Sequence, residues 1–271
     1  PPVRARAPLL KLVGFGAAAL GAVAAMLFLL LPAMADRLAA RLPPGGEAAL
    51  GETTLAQVRR AFGGGTPLAA CEEPAGRAAL EAILARLGPP PELGYPLTVT
   101  VLDHPMVNAA ALPGGQVLVF RGLIEAAEAP EEVAAVIAHE IGHVAARDPT
   151  RMALRSAGSV GVLGLVLGDF AGGTLILLLT DRLIDAQYAQ GAERAADAYA
   201  VARLEAAGIP PDALAGFFRR LAEEQGERAG LVRHLMSHPS LTERIAATEG
   251  EGATPAEPLL AEEGWAALRS I

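Results

Sequence analysis

The sequence predicts a mainly α domain with a small antiparallel β-sheet, preceded by an N-terminal membrane helix. Three observations carry this. An uncharged run fills Leu12–Ala35. Three short segments rich in apolar and β-branched residues cluster between 97 and 121. Much of the remainder shows apolar residues at three- and four-residue steps, most clearly over Ala129–Arg147.

Leu12–Ala35 is 24 residues long. As a helix it measures about 36 Å, enough for a hydrocarbon core of about 30 Å. Residues 1–11 form a short basic stretch with Arg4, Arg6 and Lys11, while Arg37 and Arg41 follow the run. The excess of positive charge in front favours a cytoplasmic N-terminus. The expectation is a bacterial inner-membrane protein with its main domain on the periplasmic side. Ala33-Met34-Ala35 offers the alternative of a cleaved signal segment and a periplasmic domain. The run is long for a signal h-region, so the anchor is favoured.

The formal net charge is −8 and there is no basic block, which argues against nucleic acid as a partner. Cys71 is the single cysteine, which excludes an intrachain disulfide and a cysteine zinc cage.

The breaker cluster Leu42-Pro43-Pro44-Gly45-Gly46 lies near the start of a main domain over 36–250. Helices are predicted over Glu47–Phe62 and Pro74–Leu87, then a strand over Leu97–Leu102. Val107–Leu112 and Gln116–Arg121 flank Pro113-Gly114-Gly115, the pattern of a hairpin. Ala129–Arg147 has Pro130 in its first turn and Glu131 and Glu132 at the positive end of the helix dipole, and Asp148-Pro149 stops it. Ala157–Thr180 is apolar but broken by Asp169, so each half is too short to span, and residues 157–180 read as an apolar helical hairpin. Further helices are predicted over Asp185–Ala207, Pro211–Gln225 and Leu241–Thr248. Residues 251–271 form a linker and C-terminal tail, with a terminal helix within Leu259–Ile271.

The chemistry concentrates at His139-Glu140-Ile141-Gly142-His143, an HExxH pattern on the clearest helix. Residues i and i+4 share a helical face, so both imidazoles can meet one metal ion, and neutral imidazoles suit Zn²⁺. Glu140 stands beside the first histidine, placed to take a proton from the attacking water. A catalytic zinc normally has three protein ligands and one open position. Glu193 and Asp197, four apart on a predicted helix, are the candidates for the third. One carboxylate would bind the metal and the other would receive the N–H of a ligating histidine.

These residues resemble the HtpX and CAAX prenyl-protease type of zinc endopeptidase, metallopeptidase family 48, a gluzincin group. The resemblance runs from Leu97 to Ala247 in five blocks: Asn108–Gly115, Arg121-Gly122-Leu123, the HExxH at His139, the pair Glu193 and Asp197, and His238-Pro239 with Arg244-Ile245. It implies a zincin-like α+β fold and one Zn²⁺ per chain held by His139, His143 and Glu193. It also implies Glu140 as the base and Asp197 beside a ligand. Asn108, His238 and Arg244 would line the cleft. Ala110 stands where the family often has an aromatic, and Gln190 where it usually has an Arg. With Asn108, Ala109 and Ala110 beside the substrate, His238 is the expected donor to the oxyanion, or a transient fourth ligand. Arg244 would orient Asp197 or bind substrate.

The sequence thus points to a zinc metalloendopeptidase, membrane-associated, acting in quality control of unfolded or misfolded proteins. Its expected partners are protein or peptide substrates and the membrane. An extended substrate would lie along a sheet edge formed by Val107–Leu112 or Gln116–Arg121. The alternative is a zinc-binding chaperone or scaffold with a latent or gated protease site.

Overall fold

The structure is a computed structural model that describes residues 6–91, 93–167, 190–223 and 257–271. Helix α1 (Arg6–Ala25) continues through a π-helical turn at Met26–Leu30 into α2 (Leu31–Arg41). Along this rod Phe15, Phe28 and Leu29 are more than 70% exposed, an apolar surface that folding leaves uncovered. Lys11–Arg41 is the one stretch among the described residues long and apolar enough to cross a membrane.

Leu42 turns the chain, with an extended φ/ψ of −65° and 122°, and Pro44 at the first turn starts α3 (Pro44–Phe62). Helix α4 (Pro74–Leu87) follows, capped by the Glu73 carboxylate accepting the Gly76 N–H at 2.7 Å. Strands β1 (Thr98–Leu102), β2 (Ala109–Leu112) and β3 (Gln116–Phe120) form one sheet in the order β1-β3-β2. β2 and β3 are the antiparallel hairpin that the Pro-Gly-Gly turn predicts, with Gly114 and Gly115 at φ 72° and 79°. β1 joins the other side of β3 in parallel register, so the sheet is mixed. Because β3 lies in the middle, Gln116–Arg121 supplies no free edge, and the edge expected for substrate is narrowed to β2.

Alternation along the strands divides the core. Val99, Val101, Ala109, Ala111, Val117 and Val119 face one cluster, and Leu102, Leu112, Leu118 and Phe120 face the other. The second cluster is closed by Val58, Leu55 and Phe62 of α3. The first belongs to α6 (Pro130–Ala145), reached through the short α5 (Arg121–Ala126). The HExxH residues alternate with Val136, Ile137, Ile141 and Val144, the pattern of a largely buried helix, and α6 is buried from Val133 to Val144 on every side. Against it lie α4, the sheet, α8 (Gln190–Ala207) and α9 (Ala213–Glu223). Its N-terminus is tied by Glu132, which accepts from Arg220 of α9 at 2.5 and 2.6 Å. The C-terminal helix α10 (Glu262–Arg269) packs on α4.

Asp148-Pro149 does end α6, but it also begins α7 (Asp148–Leu167). The break is two residues, Ala146 and Arg147, and the chain turns at Arg147 with φ 58°. Ala157–Leu167 is therefore the end of a longer helix that starts at Asp148, and residues 168–180 of the expected hairpin lie outside the described residues, as does the expected helix Leu241–Thr248. α7 runs antiparallel to α2: Arg147 meets Leu42, Arg155 meets Asp36, and Gly158 faces Leu31.

Gly51 shows how closely α3 sits on the β2–β3 turn, since a Cβ there would stand 2.0 Å from the Pro113 carbonyl oxygen. Alanine normally favours a helix over glycine by about 1 kcal/mol. At this contact Gly51→Ala is expected instead to destabilise by about 1–3 kcal/mol, through forced displacement of α3. A thermal melt reads the outcome, and an unchanged or raised Tm would contradict the contact.

Candidate active site

Helix α6 carries His139 and His143 one turn apart on the same face. Their Nε2 atoms face each other across 3.1 Å, with the rings at 85°. Glu193, in the first turn of α8, closes the triangle. Its Oε2 lies 3.7 Å from His139 Nε2 and its Oε1 3.5 Å from His143 Nε2. Four-coordinate zinc with bonds of about 2.0–2.1 Å separates its ligand atoms by about 3.3 Å. The triangle has that size, and its donors, two imidazoles and a carboxylate, are of the kind that hold a metal ion.

Helix α8 comes this close because of Gly142. A Cβ on Gly142 would stand 3.0 Å from the Ala196 Cα and 3.1 Å from its carbonyl oxygen. Two small residues face each other where the helices touch, and Glu193, one turn before Ala196, is delivered to the histidines. All three groups are nearly inaccessible, at 2%, 0% and 1% exposure for His139, His143 and Glu193. An ionised carboxylate at such depth costs several kcal/mol unless a cation or hydrogen bonds compensate it.

The outer nitrogens are also engaged. His139 Nδ1 lies 2.9 Å from Asp197 Oδ1, and His143 Nδ1 lies 3.1 Å from Asp148 Oδ2. Burial alone would lower the pKa of His143, but the hydrogen bond to Asp148 and the charges of Glu140, Glu193 and Asp148 outweigh it and raise the value. In the sequence Asp148 shows only as a helix stop, because a position five residues after His143 and beyond a sharp turn carries no periodic signal.

Glu140, on the same helix as the two histidines, reaches the sheet. Its Oε2 accepts the N–H of Ala111, on β2, at 2.7 Å. The Asn108 carbonyl accepts the Phe120 N–H at 3.0 Å, which fixes the pleat of β2. Backbone groups of Asn108, Ala110 and Leu112 then point to β3, and those of Ala109 and Ala111 point to the free edge. The Ala109 N–H is held by the Asn108 side-chain oxygen at 2.9 Å. Asn108 is itself buried, and Ala110 is half-buried on the strand. His238 and Arg244 lie outside the described residues. His104, given no role from sequence, accepts the Met106 N–H at 3.2 Å and packs on Phe62 and Phe120.

Another buried carboxylate stands outside this cluster, and no spacing in the sequence marks it. Glu47, at 1% exposure, opens α3 yet accepts from Arg147 Nη2 at 2.5 Å and from the Thr150 hydroxyl. Arg147 also donates to the Leu42 carbonyl at 2.8 Å. Burial and Glu47 push the neighbouring Tyr95 phenol upward in pKa.

A buried triangle able to hold a metal ion, with a glutamate bonded to the neighbouring strand, is the kind of arrangement a metal-dependent peptidase uses. Comparison with known proteins agrees. The sequence model of peptidase family M48 matches residues 74–251, and the chain belongs to that family. It is 31% identical over 147 residues to the mitochondrial metalloendopeptidase OMA1 of Arabidopsis thaliana, covering 54% of this chain and 30% of that protein. It is 32% identical over 164 residues to the metalloprotease LoiP of Escherichia coli, covering 56% of this chain and 61% of that one. It is 32% identical over 161 residues to a putative beta-barrel assembly-enhancing protease of Vibrio cholerae, covering 55% and 33% respectively. The matched part thus spans less than two thirds of each of these relatives.

Removal of the carboxylate corner tests the triangle. Glu193→Ala is expected to lose most of its bound metal, measured by elemental analysis after metal loading and desalting. Retention at the wild-type level would exclude Glu193 as a ligand.

Proposed function

We propose that this chain is a zinc-dependent endopeptidase that cleaves unfolded or misfolded proteins beside a membrane. The observation that carries the reading is the placement of Glu140 between the His139–His143–Glu193 triangle and the β2 edge. The donor set and its spacing suit Zn²⁺, one per chain. The chemistry a zinc ion supplies at such a site is polarisation of the scissile carbonyl and a water whose pKa is about 7.

The chain's own groups do the rest. His139, His143 and Glu193 hold the metal, and Asp197 fixes the ring of His139. Glu140 keeps one oxygen on the Ala111 N–H, which leaves the other to take the proton of the attacking water and return it to the leaving amine. The outward carbonyls of Ala109 and Ala111, whose N–H groups are held by Asn108 and Glu140, accept from an extended substrate laid along β2, with Asn108 and Ala110 shaping that edge. Strand addition reads backbone rather than side chains, which suits unfolded protein. His238 is the proposed donor to the oxyanion, and Arg244 the partner of Asp197 or of substrate. The Lys11–Arg41 helix supports a membrane anchor, with the domain on the periplasmic side of a bacterial inner membrane; the alternative is a periplasmic protein after signal cleavage.

One observation favours a second reading. His139, Glu140, His143 and Glu193 are each at most 3% exposed, as in a site kept shut. A zinc-binding chaperone or scaffold with a latent or gated protease site fits that burial.

The deciding variant is Glu140→Gln. It is expected to keep one zinc per chain and to lose casein cleavage by about 10²–10⁴-fold, the usual worth of a general base. Cleavage at the wild-type rate would remove Glu140 from the mechanism. A zinc-loaded wild type that binds casein without cutting it would favour the gated reading.

A further inference from the structure

We propose that Asp148 is a positioning residue for His143, the counterpart of Asp197 on His139, and that it sets the metal affinity of the site. The inference rests on the metallopeptidase reading above. Both histidines turn Nε2 inward, where 3.1 Å separates them, and each presents Nδ1 to a carboxylate on another element. Donation of Nδ1–H to that carboxylate leaves the Nε2 lone pair free for a metal, and the negative charge makes the ring a better ligand. Asp197 does this from α8 at 2.9 Å, and Asp148 does it from the start of α7 at 3.1 Å.

The chain around Asp148 is built to aim it. Helix α6 ends at Ala145, and Arg147 reverses the backbone with φ 58°, a conformation that side chains other than glycine seldom adopt. That turn brings the next residue back beneath His143. Arg147 is held there by Glu47 at 2.5 Å and by the Leu42 carbonyl at 2.8 Å, and Thr150 donates to the other Glu47 oxygen. The second oxygen of Asp148 accepts from Arg151 Nη1 at 3.1 Å, and Arg151 Nε lies 4.0 Å from Asp36 on α2. Both carboxylate oxygens are therefore oriented, one by the metal-site histidine and one by an arginine that also faces the helix leaving the apolar rod.

A carboxylate in the first turn of α7 also suits the helix dipole, and that role alone would leave the metal site untouched. The two roles separate by experiment. The full chain in detergent is stripped of metal, and its Zn²⁺ affinity is measured by competition with a chromophoric chelator, beside Asp148→Asn and Asp148→Ala. Co²⁺ substitution reports the ligand field, and a melt of each metal-free protein reports the fold. The expected result is one Zn²⁺ per wild-type chain and a 10–100-fold loss of affinity in the variants, with Asp148→Asn folded and its Co²⁺ absorption band displaced. Zinc affinity within twofold of wild type in a folded Asp148→Asn, with an unmoved Co²⁺ band, overturns the proposal. Failure of the wild type itself to bind Zn²⁺ would sink the metallopeptidase reading instead, so the two failures are distinguishable.

Discussion

The close approach of α6 and α8 is the constraint on which the site depends. Two histidines on one helix supply only two corners, however well they are spaced. The third corner must come from a distant part of the chain and must arrive within a few ångströms. Gly142 and Ala196 permit this, because neither carries a side chain that would hold the backbones apart. The cost of burying Glu193 is then offset by the group it faces. A site of this kind is stable as a unit and strained in parts: a carboxylate with no cation, or a cation with two ligands, is a poor buried arrangement.

The sheet serves the site rather than the reverse. β3 is buried on both faces and sits between its neighbours, so it acts as a rigid floor. Among the described residues β2 keeps one edge free of other strands, and β2 packs on α6. Glu140 touches β2 through the Ala111 N–H, so the proposed base is fixed relative to the strand that would seat a substrate. A backbone amide does this well, because it cannot rotate away and carries no charge of its own.

Support for the histidines reaches outward to the N-terminal rod. Behind His143 stands Asp148, behind Asp148 stands Arg151, and Arg151 faces Asp36 on α2. A parallel path joins Arg147 to Glu47 and to the carbonyl of Leu42, where α2 ends. Exposed ion pairs contribute little by themselves. Glu47 is different, since a buried carboxylate that lost Arg147 would be left without its charge partner. The junction between the apolar helix and the domain is thus part of the packed structure and not a loose tether.

The sequence alone determined what local spacing can encode. The i,i+4 histidines defined one face of a helix, the i,i+4 pair of Glu193 and Asp197 defined a face of a second, and the Pro-Gly-Gly turn defined the β2–β3 hairpin. A run of 24 uncharged residues defined the rod. Each of these follows from a period of the helix or strand, or from the φ that a turn demands. Tertiary structure decided the rest. It made β1 parallel, which no turn could announce because β2 intervenes. It made β2 the edge, buried α6 on all sides, and brought Glu47 against Arg147 across 100 residues of sequence. It also turned Asp148 from a helix stop into the neighbour of His143. Such contacts depend on which surfaces meet, and a single chain of residue types carries no period from which a meeting between distant surfaces can be read.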